Sequence, residues 1–116
     1  MAFGSPGGDS QDQWALQFFL NVIDFGMSLQ QAVEAPTFWT NHFPSSFYPR
    51  TRSPGEIMIE ETIGPAVIDE LKRRGHLTTV AEAWTIGRLT AAGRDANGLL
   101  RAAATPRLMQ AYAVGR

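Results

Sequence analysis

The residues best suited to chemistry in this chain are two adjacent glycines that precede a long apolar segment. The stretch FGSPGG, residues 3–8, leads directly into the helix-forming sequence that follows it. A glycine pair that opens a helix exposes backbone N–H groups at the positive end of the helix dipole, where negative charge is stabilised. The pattern therefore predicts that Gly7 and Gly8 bind a negatively charged oxygen.

The spacing of these glycines does not suit a nucleotide phosphate. A P-loop needs a lysine directly after its second conserved glycine, and the positions of Gly4, Gly7 and Gly8 do not match a dinucleotide fingerprint either. Asp9 and Asp12 would also repel a permanently charged phosphate. A carbonyl oxygen that becomes negative only in the transition state suits this setting better. The residues favour an oxyanion hole, with a simple strand-to-helix turn as the alternative.

The other polar candidates favour structural roles. Asp9 could contact the amine of a substrate, and capping of the helix is the alternative. His42 and His76 are the only histidines and are far apart in the sequence, so neither a metal site nor a cofactor is predicted. Glu60 and Glu61 are neighbours on a predicted strand and should point to opposite faces rather than act as a pair.

Composition limits the protein class. The 116 residues, 44% hydrophobic and 18% charged, predict a single domain over residues 1–116. A net charge of -1 with scattered arginines argues against a nucleic acid partner, and the absence of cysteine excludes a thiol nucleophile. The longest apolar run is too short to cross a membrane, and the sequence leaves localisation open.

Gly, Pro and capping residues mark the ends of the helices and strands, and their order predicts an α+β fold with helices packed on an antiparallel or mixed sheet. The first helix begins near Gln11, after a cap at Asp9 or Ser10 with a Ser10–Gln13 capping box, and Gly26 ends it. Two shorter helices follow, one from Ser28, with a Ser28–Gln31 capping box, to Pro36 and one from Gly64–Pro65 to Gly75. Five strands are predicted, at 37–41, 57–61, 76–81, 84–92 and from Leu99 toward Ala104. The Asn97–Gly98 turn joins the last strand to the one before it.

Two aromatic groups need a place in this fold. The first helix is apolar around most of its circumference and should be buried on more than one side, with its aromatic residues in the core: Trp14, Phe18, Phe19 and Phe25. The second group surrounds a proline-bounded loop and could either shape an acyl pocket or pack against another subunit: Phe38, Trp39, Phe43, Phe47 and Tyr48.

Four segments carry a resemblance to a known family. FGSPGG is followed by NVIDFGMSLQQAVEAPTF at 21–38, IDELKRRGH at 68–76 and DANGLLRAAATPR at 95–107. In this order they resemble the C-terminal half of the small subunit of the gamma-glutamyltransferase (gamma-glutamyltranspeptidase) family, over nearly the whole chain. The sequence GGDSQDQW departs from the commoner form and is closer to the acylase-like branch, which leaves the substrate open.

The resemblance implies part of an N-terminal-nucleophile hydrolase with an αββα sandwich. Such enzymes are made as a precursor that cleaves itself ahead of a threonine. The threonine hydroxyl then attacks a gamma-glutamyl or related amide, with its own amino group as the base, and the acyl group passes to water or to an amino acid or peptide. In that scheme the backbone N–H groups of Gly7 and Gly8 form the oxyanion hole.

The resemblance also implies which parts are missing. In the family the nucleophile precedes the glycine pair by more than the six residues found here. The serine pair that holds the substrate carboxylate, and the family's arginine in the large subunit, are missing as well. We therefore expect a C-terminal fragment, inactive alone and oligomeric when isolated. Its partners would be the upstream small-subunit segment and the large subunit of the same precursor. The alternative is a non-catalytic α+β domain that packs against a partner chain.

Overall fold

The computed structural model describes residues 1–109 and 111–114, and the chain forms two compact units. The first unit comprises Met1–Ala35 and Gly87–Arg116, and the second comprises Pro36–Ile86. Helices and strands are mixed in both, so the predicted α+β class is confirmed. The single domain predicted for residues 1–116 stays a prediction.

The first unit is built on an antiparallel sheet of three strands in the order β1–β5–β6. Its elements are β1 (Ala2–Gly4), α1 (Ser10–Ile23), α2 (Leu29–Glu34), β5 (Thr90–Arg94) and β6 (Leu100–Ala104). Phe3 lies opposite Ala91, and Ala91 lies opposite Ala103, so the three share one face. The core on this face contains Phe18 of α1 and Ala32 and Val33 of α2, with Leu89. The alanines let both helices approach the sheet closely.

Helix α2 begins as its sequence predicts, and α1 begins at Ser10, one residue before the predicted start near Gln11, but without the predicted capping box. At α2 the Ser28 hydroxyl accepts the Gln31 N–H at 3.3 Å, and Gln31 Oε1 accepts the Ser28 N–H at 3.0 Å, which is a complete capping box. The predicted Ser10–Gln13 box is wrong, because Ser10 is already the first helical residue of α1. Asp9 takes the cap position in a helical conformation, and its side chain makes no capping hydrogen bond.

The prediction that α1 is buried on more than one side is wrong for this chain. Phe18 is 2% exposed, but the opposite side of the helix faces outward. Phe19 and Phe25 are therefore exposed rather than in the core, and Trp14 is half-buried. The physical reason is that the sheet and α2 cover only the side that carries Phe18.

A buried arginine ties the C-terminal segment to the end of α2. Arg107 is 2% exposed, and its guanidinium donates to the carbonyl oxygens of Val33 at 2.6 Å and Ala35 at 2.8 Å. These are among the last carbonyls of α2, which lack partners within the helix and carry the negative end of its dipole. The cation therefore satisfies acceptors that would otherwise be buried without donors.

The Asn97–Gly98 turn joins β5 to β6 as predicted. The Gly98 N–H donates to the Asp95 carbonyl at 2.9 Å, and Gly98 has a φ of 89° that favours glycine. The strand predicted at 84–92 is only partly correct, since β5 begins at Thr90. Residues 2–4 form β1, for which the short segment before the glycines gave no strand signal.

The second unit combines a mixed sheet with one helix. Its elements are β2 (Phe38–Trp39), β3 (Glu56–Glu60), α3 (Pro65–Arg73) and β4 (Leu77–Ala81). Strand β3 pairs antiparallel with β2 and parallel with β4, and α3 makes the crossover between the parallel strands. Ile57 and Ile59 of β3 are buried, as is Ile68 of α3. The strand predicted at 37–41 shortens to two residues.

An exposed cluster of ion pairs lies at the C-terminal end of α3. The Arg73 and Arg74 guanidiniums contact the Glu70 carboxylate at 2.6 and 2.7 Å. Arg73 and then Arg74 hold the pKa of Glu70 below its usual value, and Glu70 raises the pKa of Arg73. The two cations lie at the negative end of the α3 dipole.

We expect Arg107→Met to lower the free energy of unfolding by about 2–3 kcal/mol, because buried carbonyls at the end of α2 lose their donor. Arg107→Lys should recover only part of this loss, since one ammonium cannot serve the same carbonyls as a planar guanidinium. Urea unfolding followed by circular dichroism measures both, with Arg94→Lys as an exposed control. Equal stability of the Arg107→Met and wild-type chains would contradict a stabilising role for the hydrogen bonds from Arg107 to the end of α2.

Candidate functional site

The candidate site is the turn that joins β1 to α1. Gly7 has a φ of 136° and Gly8 a φ of 58°, conformations that favour glycine. The Gly7 carbonyl accepts the Ser10 N–H at 3.2 Å, and the Gly8 carbonyl accepts the Gln11 N–H at 3.0 Å. The turn is therefore continuous with the hydrogen bonding of the helix.

The Gly8 N–H faces away from the hydrogen bonds of α1. In a trans peptide the C=O and the N–H point in opposite directions. Because the Gly7 C=O points to the helix, the Gly8 N–H points away from it. Both glycines are exposed, and within the described part of the chain neither N–H donates a hydrogen bond to another residue.

The indole of Trp14 packs against the turn at Gly7. A Cβ atom at position 7 would lie 3.2 Å from Trp14 Cη2 and only 2.6 Å from Cζ3, and the second distance is shorter than real Cβ atoms show. Trp14 Nε1 is buried and has no hydrogen-bond partner among the described residues. Only glycine at position 7 allows this contact.

Side-chain hydrogen bonds of Gln11 and Ser5 stabilise the segment that leads from β1 into the turn. Gln11 Nε2 donates to the Ser5 carbonyl at 2.5 Å, and the Ser5 hydroxyl donates to the Pro6 carbonyl at 2.7 Å. Sequence reasoning did not single out Gln11 or Trp14 as supports. The signal for Trp14 was available, because helical side chains lean toward the N-terminus and cover the preceding turn.

Two carboxylates stand beside the glycine turn. Asp9 and Asp12 are both exposed, and Asp12 lies in the first turn of α1. They lie at the positive end of the helix dipole, where negative side chains are stabilised. The site thus combines exposed backbone donors with nearby acidic groups, which suits a developing oxyanion better than a dianionic phosphate.

The two histidines lie in the second unit and are not brought into one site. His42 Nδ1 accepts the Gly55 N–H at 3.0 Å, and its ring meets that of Phe43 edge-on. His76 is exposed where the chain passes from α3 to β4. Within residues 1–109 and 111–114, no group of three His, Asp or Glu side chains could hold a metal ion.

Glu60 and Glu61 diverge as predicted for neighbours. Glu60 is completely buried and accepts the Thr37 N–H at 3.3 Å. Glu61 is exposed and accepts the Ala83 N–H at 3.1 Å. Both carboxylates therefore bind backbone within the second unit and do not form a catalytic pair.

The loop aromatic group of the second unit faces outward. Phe43, Phe47 and Tyr48 are exposed, and Trp39 of β2 is half-buried. Both interpretations of this group, an acyl pocket and a surface for another subunit, stay open.

In the described part of the chain, no helix is both long enough and apolar enough to span a bilayer.

The family model described as gamma-glutamyltranspeptidase matches residues 1–115. The acylase ACY 1 proenzyme of Pseudomonas sp. (strain SE83) is 37% identical over 103 residues, which cover 89% of this chain and 16% of that protein. The chain thus spans about a sixth of this curated relative.

Solved structures share the fold. LmbA2991HD superposes with a TM-score of 0.92 at 51% identity, over 99% of this chain and 21% of that one. Gamma-glutamyltranspeptidase from Pseudomonas nitroreducens, complexed with L-DON, gives a TM-score of 0.73 at 25% identity, over 98% of this chain and 54% of that one. These structures confirm the predicted hydrolase fold.

We expect Gly7→Ala to destabilise the first unit, and we expect Trp14→Ala to reduce that cost by about 1–2 kcal/mol, because the collision with the indole disappears. A double-mutant cycle by urea unfolding measures the coupling. Gly26→Ala is the control for a glycine of positive φ without a collision, since Gly26 has a φ of 65° and a Cβ added there would meet no atom within 4 Å. Equal costs of Gly7→Ala with and without the indole would contradict the proposed contact.

Proposed function

The chain belongs to the gamma-glutamyltranspeptidase family, and from that membership we propose that it is the C-terminal part of an acyl-transferring N-terminal-nucleophile hydrolase. Its substrates are gamma-glutamyl or related acyl amides, and the acyl group passes to water or to an amine. The observation that carries the proposal is the Gly7–Gly8 turn, which presents exposed backbone donors at the start of α1.

In the proposed reaction, Gly7 and Gly8 act on the substrate carbonyl. When a nucleophile attacks an amide carbonyl, the oxygen becomes negative in the tetrahedral intermediate, and donors already in place stabilise that charge. The N–H groups of Gly7 and Gly8 are the proposed donors. Three features support this role: their exposure, the direction of the Gly8 N–H away from the helix, and the positive end of the α1 dipole behind them.

The nucleophile and base are proposed to come from elsewhere in a precursor. A threonine at the N-terminus of an upstream segment would supply its hydroxyl as nucleophile and its amine as base. The upstream segment and a large subunit are the proposed partners. The relatives support this proposal, because the acylase is a proenzyme of which the chain covers only 16%. Without these parts the chain would be inactive.

We propose Asp9 as a contact for the amino group of the substrate. Its carboxylate is exposed and directly follows Gly8, beside the proposed oxyanion hole. The similarity to the acylase ACY 1 proenzyme favours an acylase-like substrate without fixing the acyl group.

We expect Gly8→Ala to lower turnover of the assembled enzyme by about a hundredfold, the usual cost of losing one oxyanion-hole donor. Alanine tolerates the left-handed conformation poorly, by about 1–2 kcal/mol, so the peptide that carries the donor shifts. The assay is release of an anilide from gamma-glutamyl and glutaryl anilides by the chain co-expressed with its upstream segment.

Gly26→Ala is again the matched control, because its φ of 65° is close to the 58° of Gly8. It imposes similar backbone strain at the other end of α1 and should leave turnover within about twofold of wild type. Equal losses in the two variants would mean that strain, not the lost donor, lowers the rate. Full activity of Gly8→Ala would reject the oxyanion role.

We expect the isolated chain to bind the dye ANS and to self-associate, because apolar side chains that would be covered in a larger protein are exposed. Dye fluorescence and sedimentation measure this. A dye-silent monomer would contradict the fragment proposal. A folded, self-cleaved upstream segment that leaves the pair inactive would favour the alternative, a non-catalytic domain that packs against a partner.

A further inference from the structure

The peptide that joins Gly7 to Gly8 can take two orientations in the turn. Neither glycine carries a Cβ, so rotation about the bonds on either side of this peptide meets little steric resistance. A flipped peptide would direct the Gly7 carbonyl outward and the Gly8 N–H toward the helix, because the two groups point in opposite directions. Such a flip would place an acceptor where the oxyanion hole needs a donor. The surroundings must therefore favour one orientation.

One hydrogen bond within the turn favours the observed orientation. The Gly7 carbonyl accepts the Ser10 N–H at 3.2 Å, which is at the long end of the range for such bonds. Gly7 is exposed, so water competes for its carbonyl and reduces the net contribution of this bond. A single bond of this kind restrains a peptide between two glycines only weakly.

The indole of Trp14 supplies a second restraint on the turn. Three of its atoms, Cε3, Cζ3 and Cη2, would lie 3.5, 2.6 and 3.2 Å from a Cβ built on Gly7, so the ring rests against the backbone there. Trp14 precedes Phe18 by four residues and therefore lies on the face of α1 that packs on the core. Helical side chains lean toward the N-terminus, which carries the ring over the turn.

The indole meets the turn through its hydrocarbon edge. The three atoms nearest to Gly7 belong to the six-membered ring, whereas Nε1 belongs to the five-membered ring on the other side of the indole. Nε1 is also buried, and among the described residues it has no hydrogen-bond partner. The indole N–H is thus no donor to the substrate oxygen. Trp14 acts on the position of Gly7 and not on the substrate itself.

We propose that Trp14 is a positioning residue: its indole holds the Gly7–Gly8 peptide in the orientation that directs the Gly8 N–H at the substrate oxygen. This role rests on the oxyanion hole proposed above and adds the residue that fixes the direction of its donor. A donor already in place stabilises the charge of the transition state more than it stabilises the neutral carbonyl of the bound substrate. Loss of the indole should therefore lower kcat rather than raise KM.

The test uses the enzyme assembled from this chain and its upstream segment. Trp14→Leu removes the ring edge that contacts Gly7, and Trp14→Phe keeps part of an aromatic edge. We expect Trp14→Leu to lower kcat about tenfold with KM within about twofold of wild type, and Trp14→Phe to keep kcat within about threefold. Anilide release per active site, with the sites counted by a covalent inactivator, measures both constants.

Inhibition distinguishes a misdirected donor from a general loss of stability. A boronate analogue of the better anilide substrate mimics the tetrahedral intermediate, so its inhibition constant should rise about tenfold in Trp14→Leu, in parallel with the fall in kcat. A substrate analogue with a methylene group in place of the carbonyl has no oxygen for the hole. Its inhibition constant should stay within about twofold of wild type.

Val22→Ala is the matched control for stability. Val22 is a partly buried residue of the same helix that packs against the core, about 12 Å along α1 from Trp14. Val22→Ala should lower the melting temperature but leave kcat, KM and boronate inhibition within about twofold of wild type. Equal losses of kcat in Val22→Ala and Trp14→Leu would assign the effect to stability and overturn the positioning role.

Gly8→Ala separates failure of the positioning role from failure of the oxyanion hole. A large loss of turnover in Gly8→Ala, together with wild-type kcat and boronate inhibition in Trp14→Leu, would overturn the role of Trp14 and leave the oxyanion hole in place. Full activity of Gly8→Ala would reject the hole itself. If Trp14→Leu does not mature, Trp14→Met retains apolar volume without a flat ring, and the same readouts should change in the same direction.

Discussion

The contact between the Trp14 indole and the Cα of Gly7 is the constraint from which the candidate site follows. The ring comes so close that any side chain at position 7 would collide with it. The contact fixes where the approach from β1 ends and where α1 begins, and it leaves Gly7 and Gly8 with backbone conformations that favour glycine. A helix that started one residue later would move the Gly8 N–H and the dipole that stands behind it.

The rest of the first unit provides a firm base for this turn. Phe3 of β1 packs on Phe18 of α1 with ring centroids 4.9 Å apart, so strand and helix are joined on both sides of the glycines. Helix α2 lies on the same sheet face, and Arg107 secures its last carbonyls. The site therefore rests on regular elements and not on a long loop, which is what a fixed oxyanion donor requires.

Local signals in the sequence were sufficient where the deciding interactions are local. The Ser28–Gln31 box, the Gly64–Pro65 start of α3 and the Asn97–Gly98 hairpin all depend on residues close in the chain. The sequence was insufficient where distant partners decide. Apolar periodicity showed that α1 has two apolar sides but not which of them this chain covers. The contact of Trp14 with Gly7 depends on the direction of the Trp14 side chain. The hydrogen bonds from Arg107 to the end of α2 link residues more than 70 positions apart.

The central claim is that the Gly7 and Gly8 N–H groups receive the oxygen of a tetrahedral intermediate. The most direct measurement is a crystal structure of the chain assembled with its upstream segment and bound to a boronate analogue of a gamma-glutamyl amide, which mimics that intermediate. We predict a boronate oxygen at about 2.7–3.1 Å from both backbone nitrogens. A boronate that is bound to the nucleophile while its oxygens contact other donors would contradict the claim.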